Sequence, residues 1–251
     1  MSQAPYQWTS ASLTHAGKVR RVNEDACLEV PWKGLWVVAD GMGGHSAGDV
    51  ASQMVIKSLS EVNSHEDPGA MLDEVEDRLT EANRTLFNMC DEDGKPKTIG
   101  CTVAALLGFH GFVVSVWVGD SRVYRFRDGK LEQISRDHSQ VEELVERGEI
   151  LREDAESHPL ANVITRAVGG AETFDLDVEF EPLRDGDRYL LCSDGLLKDL
   201  DSAAIAQCLT IDTCADAARA LVQGVLEGEA ADNVSVAVVD FSVASRETVR
   251  E

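Results

Sequence analysis

Short apolar runs, each closed by Gly or Asp, recur along this chain and are separated by polar stretches. Residues 35–39, 103–107, 112–118 and 234–239 are rich in β-branched and aromatic side chains and too brief for helices, so each predicts a strand. Residues 123–126 and 131–134 flank Asp128-Gly129, a pair that tolerates the positive φ of a tight turn, and they predict an antiparallel hairpin. Helical spacing appears at Ala51, Met54, Val55, Ser58 and Leu59, and again at Leu72, Val75, Leu79, Ala82 and Leu86. A third stripe, Ala217, Leu221, Val222 and Val225, is followed by Gly228 as its expected C-cap. Residues 137–166 break both periods. Dense in charge and with only a short helix near 141–146, they read either as a surface flap that carries specificity or as a plain connection.

The pattern shows no Pro-rich linker, low-complexity tract or internal repeat, and 251 residues with 43% hydrophobic content suit one domain spanning 1–251. Its core is expected over about 14–239, with a charged tail at 241–251. Against 23 Lys and Arg stand 45 Asp and Glu, a net charge of −22, which repels phosphate backbones and anionic headgroups and so predicts neither nucleic-acid nor membrane binding. The six cysteines form no C-x-x-C pair, so neither a zinc cluster nor a redox dithiol is indicated. No signal-peptide pattern opens MSQAPYQWTS and no apolar run is long enough to span a bilayer; the expected home is the cytoplasm and the expected state a monomer.

Acidic residues sit where the apolar runs end: Asp40-Gly41 after LWVVA, Asp120 after VVSVWVG, Asp194-Gly195 after RYLLCS, and Asp232-Asn233 before VSVAVV. Carboxylates are costly in strands, so their repetition at strand ends points to oxygen ligands gathered for a hard divalent cation. The glycine-rich VADGMGGHSAGDVAS at 38–52 lacks the Lys-Ser or Lys-Thr of a phosphate-binding P-loop and the spacing of a dinucleotide fingerprint.

Seven segments in order, VRRVNED (19–25), ADGMGGH (39–45), GCT (100–102), VGDSR (118–122), ITRAVG (164–169), LLCSDG (190–195) and ADN (231–233), together resemble the PPM, or PP2C, family of metal-dependent protein phosphatases in its compact bacterial form. The resemblance implies an α+β fold, a four-layer α-β-β-α sandwich of two antiparallel sheets flanked by helix pairs, with 137–166 as its flap. It further implies that Asp40 bridges two Mn²⁺ or Mg²⁺ ions, that Asp194 and Asp232 complete the first ion's protein ligands, and that the Gly41 carbonyl with Glu24 and Asp25 serves the second. Asp120, with Asp194, matches a third-ion site. Asn162, in the flap, is expected near it. Arg20 matches the family's phosphate-binding arginine, Ser121 and Arg122 are expected to organise the turn that holds Asp120, and Asn233 accompanies Asp232.

Paired ions activate water and stabilise charge on the attacking and leaving oxygens, so no side-chain nucleophile is needed. The implied activity is hydrolysis of phosphoserine and phosphothreonine on proteins, opposing a cognate kinase. One position departs from many eukaryotic relatives, which carry His after the Asp-Gly pair where this chain has Met42. His45 is read as capping or packing a helix start, and a metal-held water as the proton donor. Two other readings stay open. A catalytically silent phosphoprotein-binding module is disfavoured because no acidic ligand is missing, and a small-molecule phosphohydrolase would use the same site.

Overall fold

A computed structural model of the chain describes residues 6–43, 47–90, 99–155 and 158–244. One sheet has the order β1-β10-β9-β6-β7, built from β1 (Tyr6–His15), β10 (Val234–Val243), β9 (Asp187–Cys192), β6 (Arg122–Arg127) and β7 (Lys130–Gln133). The other runs β2-β3-β4-β5-β8, from β2 (Asp25–Val30), β3 (Leu35–Gly43), β4 (Ile99–Phe109), β5 (Phe112–Val118) and β8 (Asp177–Pro182). Every pairing is antiparallel.

Alternation along the strands builds the layers. Trp36, Val38, Ala104, Leu106, Leu191, Ala237 and Val239 point between the sheets, where Phe241 meets Trp8, Trp36 and Tyr189 edge-on at 5.9, 5.9 and 5.7 Å. The opposite faces of β3 and β4, with Val37, Ala39, Val103 and Ala105, are covered by α1 (Gly48–Ser60) and α2 (Pro68–Phe87). On the other sheet, Leu190, Val236 and Val238 lie under α4 (Ser202–Cys208) and α5 (Cys214–Glu227). The result is the expected α-β-β-α sandwich.

Local chemistry accounts for the boundaries. Asp128 and Gly129 both take positive φ, 52° and 74°, and close the β6–β7 hairpin. Asp67 starts α2 by accepting a hydrogen bond from the Ala70 N–H at 3.0 Å, with Pro68 in the first helical turn. Gly228 does follow α5, but at φ −82° rather than in the left-handed region; a Cβ there would lie 2.4 Å from Asp199 Oδ1, so close approach selects the glycine.

Two boundaries move. The sandwich begins at Tyr6 rather than near 14 and continues past 239 to Val243, because β1 and β10 pair along their whole lengths. The first three residues of the expected tail are therefore strand, and Phe241 is part of the core. The 137–166 excursion carries α3 (Gln140–Glu146) and a 3₁₀ turn at Arg152–Asp154, and it is fastened at its root. Arg122 grips Asp137 with Nε–Oδ1 at 2.9 Å and Nη2–Oδ2 at 2.7 Å, while the Thr165 N–H donates to the His138 carbonyl at 2.7 Å.

Candidate active site

Asp40 lies on β3 directly across from Asp25 of β2 and Thr102 of β4. Two carboxylates thus share one end of a sheet, Asp25 buried and Asp40 largely so. Burial, joined by the charges of Asp25, Asp194 and Asp120, pushes the Asp40 carboxyl well above its ordinary range. Asp25 is pushed up to about 6 by burial, although the Ser193 hydroxyl donates to its Oδ2 at 2.7 Å and partly offsets the effect. Asp120, on the turn after β5, is pushed up to about 7, again by burial and then by Asp194 and Asp137. That turn is braced from both sides. Ser121 Oγ and Thr102 Oγ1 are 2.7 Å apart, and His138 Nδ1 accepts the Gly119 N–H at 3.1 Å.

The glycine-rich segment brings α1 against the strand end. A Cβ on Gly41 would lie 1.9 Å from the Gly48 carbonyl oxygen, so only glycine permits the approach. Glu24 Oε1 accepts the Gly48 N–H at 3.2 Å and serves the start of α1, whose N-cap side chain makes no such bond. Asn233 uses its oxygen and its amide at once, accepting the Glu24 N–H at 2.8 Å and donating to the carbonyls of Ala16 and Val22 at 3.0 Å each. It ties the Asp232 loop to the loop carrying Arg20 and Glu24.

Asp194 opens a 3₁₀ turn (Asp194–Leu196) after β9, and Asp232 precedes β10. Between them lies the ammonium of Lys198, with Nζ 2.6 Å from Asp194 Oδ2 and 2.8 Å from Asp232 Oδ2. Arg20 grips Asp232 from the other side, Nε–Oδ1 at 2.9 Å and Nη2–Oδ2 at 3.1 Å. Burial works against ionisation of Asp232, but Lys198, the Asn233 N–H and Arg20 outweigh it and hold its carboxyl below the usual range. The charge of Asp232 in turn raises the Arg20 guanidinium.

These groups line one cavity of about 310 Å³. Of the residues expected at the site, Arg20, Glu24, Asp40, Gly41, Asp120, Asn162, Asp194, Asp232 and Asn233 line it. Asp25 and Ser121 stand behind its wall in contact with Ser193 and Thr102, and His45 falls outside the described residues. Met42 and Lys198 also face the space. Lys198 is the residue that sequence reasoning passed over. Its only signal is its place four residues after Asp194.

The donor set fits hard divalent ions. It offers carboxylate and carbonyl oxygens with neither thiolate nor imidazole, and desolvation together with neighbouring carboxylates opposes ionisation of Asp25, Asp40 and Asp120, so added positive charge would relieve them. Among the described residues no three acidic, His or Cys side chains converge tightly enough to hold an ion as they stand. At the rim, Asp194 is paired with Lys198, and Asp232 with both Lys198 and Arg20. The cysteines take no part. All six are free thiols, and burial pushes Cys192, two residues before Asp194, up to about 12.

An antiparallel double sandwich with an acidic cleft where the two sheets end is the architecture of a phosphatase family, and the sequence matches that family's description, protein phosphatase 2C, over residues 14–227. The chain belongs to the protein phosphatase 2C family. It is 37% identical over 230 residues to the serine/threonine protein phosphatase PstP of Mycobacterium tuberculosis, covering 92% of this chain and 44% of that protein. The chain thus spans less than half the length of that relative. Among solved structures it resembles PppA of Pseudomonas aeruginosa, described as a key regulatory component of T6SS, with 38% identity, TM-score 0.87 and coverage of 94% and 99% of the two chains. It is also similar in fold to the catalytic domain of PstP in complex with two manganese ions, at 35% identity, TM-score 0.84 and coverage of 94% and 99%. No helix among the described residues is long and apolar enough to cross a membrane.

Proposed function

We propose that this chain hydrolyses phosphoserine and phosphothreonine on proteins, using water at a pair of Mn²⁺ or Mg²⁺ ions. The observation that carries this reading is the convergence of Asp40, Asp120, Asp194 and Asp232 on one cavity, with buried Asp25 behind its wall directly across from Asp40. Asp40 would be shared by the two ions, Asp194 and Asp232 would complete one site, and Glu24, Asp25 and the Gly41 carbonyl would serve the other. Asp120 with Asp194 would take a third, with Asn162 nearby. Such ions supply a more acidic water and neutralise charge on the phosphoryl oxygens.

The chain's own residues do the rest. Arg20, half exposed and fixed by Asp232, presents its remaining guanidinium edge to a phosphoryl group, where two parallel hydrogen bonds orient it. Asn233 and the Thr102–Ser121 pair hold the loops and turn that carry the carboxylates. Met42, on the cavity wall, brings no proton, so the leaving oxygen takes its proton from water. The flap at 137–166 would bear on the protein substrate, Asn162 and Ile164 reaching the cavity from its return arm. A kinase acting on the same serines and threonines is the implied opposing enzyme, and a monomer in the cytoplasm the implied setting.

Phosphate release from phosphoserine and phosphothreonine peptides, compared with free phosphoester metabolites in Mn²⁺, tests the assignment. Peptides are expected to turn over at least about tenfold faster in kcat/KM. Preference for metabolites would favour a small-molecule phosphohydrolase, and binding without turnover a silent module.

A further inference from the structure

Lys198 stands four residues after Asp194, on the turn that leaves the 3₁₀ segment, and its ammonium closes the gap between two carboxylates from distant parts of the chain. At 2.6 and 2.8 Å, Nζ sits on the Oδ2 atoms of Asp194 and Asp232, two residues assigned above to one ion. A divalent ion binds carboxylate oxygen at about 2.0–2.6 Å, so an ion on the same Oδ2 atoms would lie within a few ångströms of the ammonium and compete with it for their charge. Like charges at such separations also repel strongly where solvent is partly excluded.

The lysine has the means to leave. Its side chain is 35% exposed, against 23% and 22% for its partners, and its four-carbon stem is flexible. Arg20 reaches no oxygen of Asp194 in this arrangement, and although its Nη2 shares Asp232 Oδ2 with Lys198 at 3.1 Å, Lys198 is the cation that the two carboxylates have in common. Nor does Lys198 hydrogen-bond Asp25 or Asp40, so the buried pair stays exposed to the full benefit of a divalent charge.

We propose that Lys198 is an internal counter-cation that competes with the divalent ion for Asp194 and Asp232. It neutralises the rim of the metal-free cleft and sets the affinity for metal from within, because each binding event must first displace it. The inference rests on the metal reading of the cleft given above.

Calorimetric titration of the full chain with Mn²⁺, in wild type, Lys198→Met and the remote, exposed control Lys57→Met, tests it. Removing the competitor should lower the Mn²⁺ Kd by about tenfold, the size expected from releasing two partly exposed ion pairs, and should lower the Tm of the metal-free protein. Lys57→Met, with the same change in net charge, should stay within about twofold of wild type. An unchanged or higher Kd in Lys198→Met overturns the inference while leaving the metal reading intact, whereas no Mn²⁺ binding by any of the three proteins overturns the metal reading itself. Should Lys198→Met fail to fold, acetylation of wild-type lysines read by peptide mass spectrometry decides. Saturating Mg²⁺ should raise labelling of Lys198 several-fold and leave Lys57 unchanged, and equal labelling of Lys198 with and without Mg²⁺ would contradict the competition.

Discussion

Asp40 faces Asp25 across the β2–β3 register, and neither is reached by the cations at the cleft rim. Burial opposes ionisation of both, so a fully charged pair is costly to the fold until positive charge is supplied. Asp40→Asn should therefore raise the stability of the metal-free protein by about 1–2 kcal/mol at high pH, read by urea denaturation in EDTA, since the amide stays neutral and can donate to Asp25 where an ionised Asp40 repels it. A loss of stability would show that Asp40 is not under this strain. Arg20 acts differently. Arg20→Ala should raise KM for phosphopeptides by roughly tenfold with a smaller fall in kcat, and calorimetry should find Mn²⁺ affinity no weaker than wild type. The acidic residues were legible in the sequence because a carboxylate at the end of an apolar run violates the pattern around it. Lys198 was not, because a lysine on a polar turn looks like any surface lysine until the fold brings Asp232 beside it.

At the scale of elements, the strands read directly from the sequence are mostly interior ones, and β1, β2 and β8, which went unread, are all at sheet edges. An edge strand has one neighbour and a wetter face, so Tyr6–His15 and Asp177–Pro182 carry too many polar positions to announce themselves. Short α4 escaped for a related reason, since Ile205 is its one buried residue. The flap was recognised by composition, but composition did not show how it is held. Glu142 is buried at 8% relative exposure and is clasped by Arg152 within the flap and by Arg136 just before it, so its charge ties the segment to its own root. Glu142→Gln should loosen the segment and speed tryptic cleavage after Arg152 several-fold, while an aryl phosphate, too small to need the flap, should be hydrolysed at an unchanged rate. Unchanged cleavage would mean that the clasp does not order the segment.

Across the whole molecule, the cleft lies where two sheets end together: Asp25 and Asp40 come from one, while Asp194 and Asp232 sit on loops attached to the other. Spacing between the sheets therefore sets spacing between the carboxylates, and it is fixed by the aromatic packing of Trp8, Trp36, Tyr189 and Phe241. Phe241→Ala should cost about 3–5 kcal/mol in urea denaturation, because the cavity would open between two layers that cannot close independently. A cost below about 1 kcal/mol would show that the sheets are positioned by something else. The acidic surface, at a net charge of −22, leaves the cleft's arginine and lysine as local exceptions in a negative field. All of this converges on one claim, that the strand-end carboxylates form a metal-dependent phosphoester hydrolase. Phosphate release from a phosphothreonine peptide, titrated with Mn²⁺ after EDTA treatment in wild type and in Asp40→Asn, tests it most directly. The account predicts turnover that is absent without Mn²⁺, rises with it to saturation in the wild type, and stays at least about a thousandfold lower in Asp40→Asn at every concentration; wild-type rates in Asp40→Asn, or full turnover in EDTA, would contradict it.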